Sequence, residues 1–196
     1  MAYSSTYWDN RYKNQETTWD LQTISDPLKN YIDQLNDFNS SILIPGCGNA
    51  HEAIYLLEKG FTNVTILDYS EIVTNELKKR FEDNLNIKII CDDFFQHHGN
   101  YDLIFEQTFF CALQPNQRQD YVKQIKALLK PKGKLVGLLF SKEFGQDFPP
   151  FGGTKEEYLN LFEQDFIIHQ LELCYNSIKP RQGSEIFVNL QNNSSL

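Results

Sequence analysis

The sequence predicts an α/β fold: an open, mostly parallel sheet with helices on both faces and an antiparallel hairpin at its C-terminal end. Short apolar runs alternate with stretches of helical period along most of the chain, which is typical of repeated strand and helix units. The first apolar run ends in a Gly-x-Gly turn that opens a helix, as a nucleotide-binding βα unit does. The last two runs are joined by a turn at residues 180–183, which indicates a hairpin.

Length and composition favour one domain, which we expect to span residues 1–196. The chain has 196 residues, of which 41% are hydrophobic, enough to bury one sizeable core. A net charge of −8 argues against a nucleic-acid partner, because phosphate binding relies on Lys and Arg. The chain has neither an apolar run of about 18 residues nor a signal-peptide pattern, so we expect a cytoplasmic protein with no membrane partner.

We also expect no metal site. His97 and His98 are adjacent, so their side chains point apart, and no carboxylate or thiol is spaced to complete a site. The cysteines are scattered without paired metal-ligand spacing and are predicted to be reduced thiols: Cys47, Cys91, Cys111 and Cys174.

Residues 1–35 are expected to form an N-terminal arm. Its aromatic residues, among them Trp8, Tyr12 and Trp19, follow no clean strand period. Two interpretations remain open: the rings cover an edge of the core, or the arm is a lid over a bound nucleotide. Asp26-Pro27 has the chemistry of a helix start and begins a helical pattern that closes the arm.

The first strand ends in the turn Pro45-Gly46-Cys47-Gly48. Without a Cβ, Gly46 and Gly48 can adopt unusual backbone angles and let a ligand lie against the main chain. His51 stands where a dinucleotide-binding pattern has its third glycine, so close approach of a pyrophosphate is poorly supported. An adenosyl ligand without phosphates fits better, and an ordinary strand-to-helix turn remains the alternative.

Two further strands end in acidic residues. The second, at residues 64–67, ends at Asp68, which is placed to accept hydrogen bonds from the two hydroxyls of a ribose. The third, at residues 87–91, is followed by Asp92-Asp93-Phe94-Phe95. A carboxylate there can accept a hydrogen bond from an adenine amino group while an apolar neighbour packs on the ring. The alternative is an acidic loop over two core phenylalanines.

The fourth strand, at residues 101–105, leads into Glu106-Gln107, where an open parallel sheet places its reacting groups. A helix follows and is stopped by Lys130-Pro131-Lys132-Gly133, and a fifth strand is predicted at residues 135–140. A helix at about residues 154–164 then precedes the strands of the hairpin, at residues 166–175 and 185–190.

Together these residues resemble class I S-adenosylmethionine-dependent methyltransferases and, within them, the thiopurine S-methyltransferase family, closest to its halide/thiol methyltransferase branch. The usual first motif has an acidic residue two positions before its first glycine, whereas this chain has Ile44 followed by Pro45, as the halide/thiol relatives have an apolar residue and a proline. The motifs that carry the resemblance cover nearly the whole chain: Trp8-Asp9, Thr18-Trp19-Asp20, Ile44-Pro45-Gly46-Cys47-Gly48, His51-Glu52, Asp68, Asp93-Phe94-Phe95, Asp102-Leu103-Ile104-Phe105, Phe109-Phe110-Cys111-Ala112, Leu129-Lys130-Pro131 and Pro149-Pro150-Phe151.

The resemblance implies a Rossmann-like, seven-stranded sheet with S-adenosylmethionine lying across the strand ends and S-adenosylhomocysteine as product. The implied cofactor-binding residues are Gly46 and Gly48 near the amino-acid portion, Asp68 on the ribose, Asp93 and Phe94 at the adenine, Trp8, Tyr12 and Trp19 as a cover, and Glu106 and Gln107. The implied substrate pocket consists of Trp19, Phe109 and Phe151.

The position after Glu106 differs from the family pattern. Thiopurine enzymes have an Arg there and plant halide enzymes a Tyr, whereas this chain has Gln107, so the resemblance does not carry thiopurine turnover to this chain. We expect Gln107 to act in catalysis by positioning the methyl group and its acceptor.

The expected reaction is transfer of the methyl group to a small soft nucleophile: a thiol, bisulfide, thiocyanate or halide. Such an acceptor is already a competent nucleophile for in-line displacement, so the enzyme must supply alignment and desolvation more than a general base. The partner is then a small-molecule or inorganic acceptor, and we expect a monomer. Two alternatives remain open: an O- or N-methyltransferase of a small metabolite, with a base such as Glu106 or a histidine, and a non-catalytic adenosyl-binding module.

Overall fold

The computed structural model describes residues 3–194, so the ends of the predicted arm and tail, residues 1–2 and 195–196, lie outside the described residues. Within this range the chain forms six α-helices: α1 (Ser5–Lys13), α2 (Asp26–Ile32), α3 (His51–Glu58), α4 (Glu71–Arg80), α5 (Arg118–Leu128) and α6 (Lys155–Phe162). It also forms seven strands: β1 (Ile42–Pro45), β2 (Val64–Asp68), β3 (Ile87–Cys91), β4 (Tyr101–Gln107), β5 (Leu129–Phe140), β6 (Phe166–Leu173) and β7 (Glu185–Asn192).

The seven strands form one sheet in the order β3-β2-β1-β4-β5-β7-β6. The first five strands pair in parallel, and β7 pairs antiparallel with both β5 and β6. This confirms the predicted fold class. The chain order reverses at β1, which has β2 on one side and β4 on the other, and ligands bind such sheets outside the carboxyl ends of the strands at this reversal.

The helices cover both faces of the sheet because alternate residues of each buried strand point to opposite faces. In β1, Leu43 joins an apolar cluster with α5 and α6, whereas Ile42 and Ile44 join a second cluster with α2, α3 and α4. None of the helices within residues 3–194 is long and apolar enough to cross a lipid bilayer.

The N-terminal arm contains a helix that the sequence pattern did not predict. Ser4 begins α1 by accepting a hydrogen bond from the Tyr7 backbone N–H, and no residue of α1 is fully buried. Its aromatic residues therefore follow no core-facing period. They contribute to the wall of a cavity instead, which is why hydrophobic periodicity missed the helix.

The predicted start of β5 was wrong. The strand begins at Leu129, directly after α5, because Leu129 pairs with Tyr101, and pairing resumes at Lys134 with Leu103 after a bulge. Lys132 has a φ of +64° inside this bulge. Pro131 and Gly133 therefore mark an interruption of β5 as well as the end of α5. Helix α6 is also shorter than predicted; Thr154 and Glu157 cap it with reciprocal hydrogen bonds.

Candidate active site

A cavity of about 280 Å³ lies at the carboxyl ends of β1 to β4, where the chain order reverses. Three parts of the chain form its wall: the N-terminal arm, the turns that follow the strands, and segments near the end of β5 and the C-terminal hairpin. Of the predicted site residues, those that line it are Trp8, Tyr12, Trp19, Gly46, Asp68, Asp93, Phe94 and Phe109.

The glycine turn after β1 brings main chain to the cavity wall. Gly46 has a φ of +58° and Gly48 a φ of +50°, which favour glycine. A Cβ on Gly46 would also lie 2.8 Å from Cγ of Phe109, so that ring and the turn pack as closely as they can. Gly48 is not part of the cavity wall; its N–H donates to Asp68 Oδ2 at 2.9 Å.

Asp68 ends β2 as a buried carboxylate whose two oxygens face backbone donors. Oδ2 accepts from Gly48 N–H and Oδ1 accepts from Ser70 N–H, both at 2.9 Å. Burial raises the pKa of this carboxyl, and these backbone hydrogen bonds oppose the rise. Because a carboxylate has about four lone-pair directions, each oxygen can still accept a hydroxyl from a ligand in the cavity.

The turn after β3 contacts both the core and the cavity. Asp93 Oδ1 accepts from Phe95 N–H at 3.0 Å and so begins the 3₁₀ turn at residues 94–96. Phe94 is 3% exposed and belongs to the core, where its ring lies 5.0 Å from that of Phe109. Both side chains also line the cavity, next to Asp92.

Three aromatic rings of the arm pack on one another over the cavity. Trp19 contacts Trp8 edge to face at 5.7 Å between centroids and contacts Tyr12 in the same way at 6.0 Å. Burial raises the pKa of Tyr12, so its phenol keeps its proton. Asp9 holds α1 against the N-terminal end of α4, because its side chain accepts a hydrogen bond from Ser70 Oγ at 2.6 Å. The arm therefore covers the cavity, as the lid interpretation requires.

Glu106 and Gln107, predicted to lie at the reacting atoms, are not part of the cavity wall within residues 3–194. Glu106 Oε1 accepts from the backbone N–H groups of Phe109 at 2.8 Å and Phe110 at 2.9 Å, and Oε2 accepts from Tyr121 at 3.0 Å. Burial raises the pKa of this fully buried carboxyl to about 7. It fixes the turn after β4, in which Thr108 has a φ of +61°.

Gln107 points to the other face of the sheet, because successive strand residues alternate. Its Oε1 accepts from Ser25 Oγ at 2.9 Å, and within the described residues its buried Nε2 has no hydrogen-bond partner. Phe151 also lies behind the wall: its N–H donates to the Cys111 carbonyl at 2.7 Å, and Pro149 and Pro150 line the cavity instead.

Sequence reasoning missed Arg181, a buried cation on the cavity wall. Its Nη2 donates to the Trp19 carbonyl at 2.8 Å, its Nη1 pairs with Glu185 at 3.4 Å, and its guanidinium lies 5.4 Å from the centre of the Phe140 ring. In the sequence, residues 180–183 indicate only a hairpin turn. The pairing of β7 with β5 could have identified Arg181 as a residue near the cavity, because β7 starts opposite Phe140, at the carboxyl end of β5.

Cys111, for which the sequence predicted only a reduced thiol, also lines the cavity. Burial raises the pKa of its thiol, and Sγ donates to the Thr108 carbonyl at 3.3 Å. Among the described residues no histidine lines the cavity, and no three His, Cys, Asp or Glu side chains gather into a possible metal site.

A family model identifies the family of this chain. The profile of the thiopurine S-methyltransferase (TPMT) family matches residues 3–193. The chain is 29% identical over 192 residues to probable thiol methyltransferase 2 of Arabidopsis thaliana, over 93% of this chain and 83% of that protein. It is 27% identical over 184 residues to thiocyanate methyltransferase 1 of Brassica oleracea, over 91% of this chain and 81% of that protein.

A solved structure shares the fold. The 1,6-didemethyltoxoflavin-N1-methyltransferase of Burkholderia thailandensis, with bound 1,6-didemethyltoxoflavin and S-adenosylhomocysteine, has a TM-score of 0.76 and 16% sequence identity to this chain. The likeness covers 97% of this chain and 87% of that one.

Proposed function

We propose, since the chain belongs to the thiopurine S-methyltransferase family of S-adenosylmethionine-dependent methyltransferases, that it moves the methyl group to a small soft nucleophile. The proposed acceptors are a thiol, bisulfide, thiocyanate or halide. Two relatives support this choice, because they are named a thiol methyltransferase and a thiocyanate methyltransferase. The acceptor is then a small-molecule or inorganic partner.

Three places in the cavity support the proposed binding of the cofactor. Gly46 lines the cavity and has no side chain, so its main chain faces the ligand there. Asp68 keeps acceptor capacity for ribose hydroxyls, and Asp93 with Phe94 offers a carboxylate and an apolar face for adenine. We assign these residues to cofactor binding, with Gly48 acting through its hydrogen bond to Asp68.

The rings of Trp8, Tyr12 and Trp19 complete the proposed cofactor site. Aromatic faces favour a cationic sulfonium by about 1 kcal/mol or more once water is excluded. When bound, S-adenosylmethionine supplies an electrophilic methyl group on sulfur. The acceptor's lone pair would displace the sulfur from the methyl carbon, and the electron pair of the carbon–sulfur bond would remain on S-adenosylhomocysteine. The residues of the chain align the two reactants and exclude water.

The observation that carries the proposal concerns a general base for the acceptor. Among residues 3–194 no histidine lines the cavity, and its aspartates, Asp68, Asp92 and Asp93, lie at the ends of β2 and β3, in the part that we assign to the cofactor. Glu106 is directed into its own turn, and Tyr12 and Cys111 keep their protons because burial raises both pKa values. An O- or N-methyltransferase that must remove a proton would need such a base. A thiolate or a halide needs none.

We propose that Trp19 and Phe109 contact the acceptor, since both line the cavity. Phe151 supports the wall from behind, with its N–H on the Cys111 carbonyl. Gln107 acts as a positioning residue through Ser25, which lies in the arm directly before α2. We further propose a cytoplasmic monomer, and light scattering after gel filtration tests its oligomeric state.

The decisive experiment measures methylated products by mass spectrometry from iodide, thiocyanate, bisulfide and an aromatic thiol, with a phenol and a primary amine as matched oxygen and nitrogen acceptors. We expect product from at least one soft nucleophile, and a rate with iodide that stays flat between pH 6 and about 8 because iodide carries no titrating proton. Methylation of the phenol or the amine alone, with a bell-shaped pH profile, would overturn the proposal.

A further inference from the structure

One carboxylate joins the arm to the glycine turn. Asp20 Oδ1 lies 2.7 Å from His51 Nε2, and Asp20 Oδ2 accepts from the Asn49 side-chain amide. The backbone N–H of Gln22 also donates to Oδ1, at 2.7 Å. The Asp20 side chain is 14% exposed and that of His51 is 23% exposed, so the contact is largely shielded from water.

The partners of Asp20 belong to the segment that forms the cofactor turn. Asn49 and His51 flank Ala50, whose φ of +59° ends that turn and begins α3. The neighbouring Trp19 lines the cavity, and its carbonyl accepts from Arg181 on the opposite side. Trp19 is thus held between the glycine turn and the C-terminal hairpin.

The charge of Asp20 is retained at this site. Burial alone would raise its pKa, but hydrogen bonds from Gln22, Asn49 and His51 outweigh burial and lower the pKa overall. Hydrogen bonds to an ionised acceptor are about twice as strong as neutral ones. The contact is therefore stronger than the same hydrogen bonds to a neutral acceptor would be.

We propose that Asp20 is a positioning residue for cofactor binding, which holds Trp19 over the cavity through Asn49 and His51. Its task is to keep the cover closed on the cofactor, and it touches neither the methyl group nor the acceptor. The inference uses only the S-adenosylmethionine dependence of the family and is independent of the acceptor.

Calorimetric titration with S-adenosylhomocysteine tests the positioning role of Asp20 without any acceptor. Both tryptophans of the chain, Trp8 and Trp19, lie in the arm, so intrinsic fluorescence reports the cover directly. For Asp20→Ala we expect about tenfold weaker binding, the equivalent of one hydrogen bond to a charged group, and a smaller fluorescence change on ligand addition.

A side-chain swap separates positioning from folding. Asp20→Asn combined with Asn49→Asp keeps a hydrogen bond with reversed direction, so we expect the double variant to bind more tightly than either single variant. Asp33→Asn is the control, because Asp33 also contacts three side chains, Lys29, Lys59 and Tyr55, away from the cavity. It should leave affinity and fluorescence unchanged.

Wild-type affinity and fluorescence response in a folded Asp20→Ala variant would overturn the inference. If the Asp20→Ala variant fails to fold, the affinity of Asn49→Ala for S-adenosylhomocysteine tests the proposal instead. This substitution removes one hydrogen bond to Asp20 from the side of the glycine turn. Weakened binding by Asn49→Ala supports the proposal, and unchanged binding refutes it.

Discussion

Gly46→Ala tests whether the glycine turn brings main chain to the cofactor. The substitution adds one methyl group at a residue with a φ of +58°. That methyl carbon would lie 2.8 Å from Cγ and 2.9 Å from Cβ of Phe109, well inside van der Waals contact. The turn is held by Cys47 N–H on the Leu67 carbonyl, so the Phe109 ring must move rather than the backbone.

The expected cost has two parts. The left-handed backbone costs a residue with a Cβ about 1–2 kcal/mol. Displacing Phe109 also disturbs its packing on Phe94, at 5.0 Å between ring centres, which contributes about 0.5–1.5 kcal/mol. We expect the free energy of unfolding to fall by about 1.5–3.5 kcal/mol in total. Because Phe109 borders the cavity, the displaced ring moves into the space for the cofactor.

Urea denaturation and calorimetric titration with S-adenosylhomocysteine measure the two effects. We expect binding to weaken by at least about tenfold, or 1.4 kcal/mol. Gly60→Ala is the matched control, since Gly60 also has a positive φ, of +97°, but nothing within 4 Å of an added Cβ. Gly60→Ala should lose only the stability that the left-handed backbone accounts for, and its affinity for S-adenosylhomocysteine should not change. If Gly46→Ala costs no more stability than Gly60→Ala and binds normally, the close approach at Gly46 is refuted.

Three further predictions concern the framework of the site. For Glu106→Gln we expect a changed pH dependence: a folded-state pKa of about 7 against an ordinary 4.5 stabilises the protein fully below pH 4.5, and this contribution is lost as pH rises to 7. Urea denaturation at pH 5 and 7 should show a wild-type loss of up to about 1.4 kcal/mol per pH unit that the variant lacks, and equal slopes would contradict the assignment. Arg181→Met should lower the free energy of unfolding by about 3–5 kcal/mol because Glu185 is left buried and unpaired, whereas Lys155→Met, in an exposed pair with Glu172, should cost less than about 1 kcal/mol; similar losses would refute the difference. Ser70→Ala should cost about 1–2 kcal/mol, since it removes both the cap of α4 and the donor to Asp9, and hydrogen exchange should rise in the first turn of α4; unchanged protection there would count against the cap.

The amino-acid sequence alone determined the alternation of strands and helices and the position of three residues of the cavity wall. Gly46, Asp68 and Asp93 each follow a strand that is legible as a short apolar run. Parallel strands end at the same edge of a sheet. Residues about twenty positions apart in the chain can therefore be predicted to lie together, even when the direction of their side chains is unknown. The hairpin at the C-terminus was predictable in the same local way.

Only the tertiary structure decided which side chains reach the cavity. Glu106 and Gln107 end β4 at the edge of the sheet where the cavity lies. Alternation within β4 and the positive φ of Thr108 nevertheless direct both side chains away from the cavity, and Phe109 lines it instead. Arg181 reaches the cavity across a sequence separation of 162 residues from Trp19, through the pairing of β7 with β5. Such contacts depend on register and long-range packing, which local periodicity does not encode because it records only which face of each element is buried.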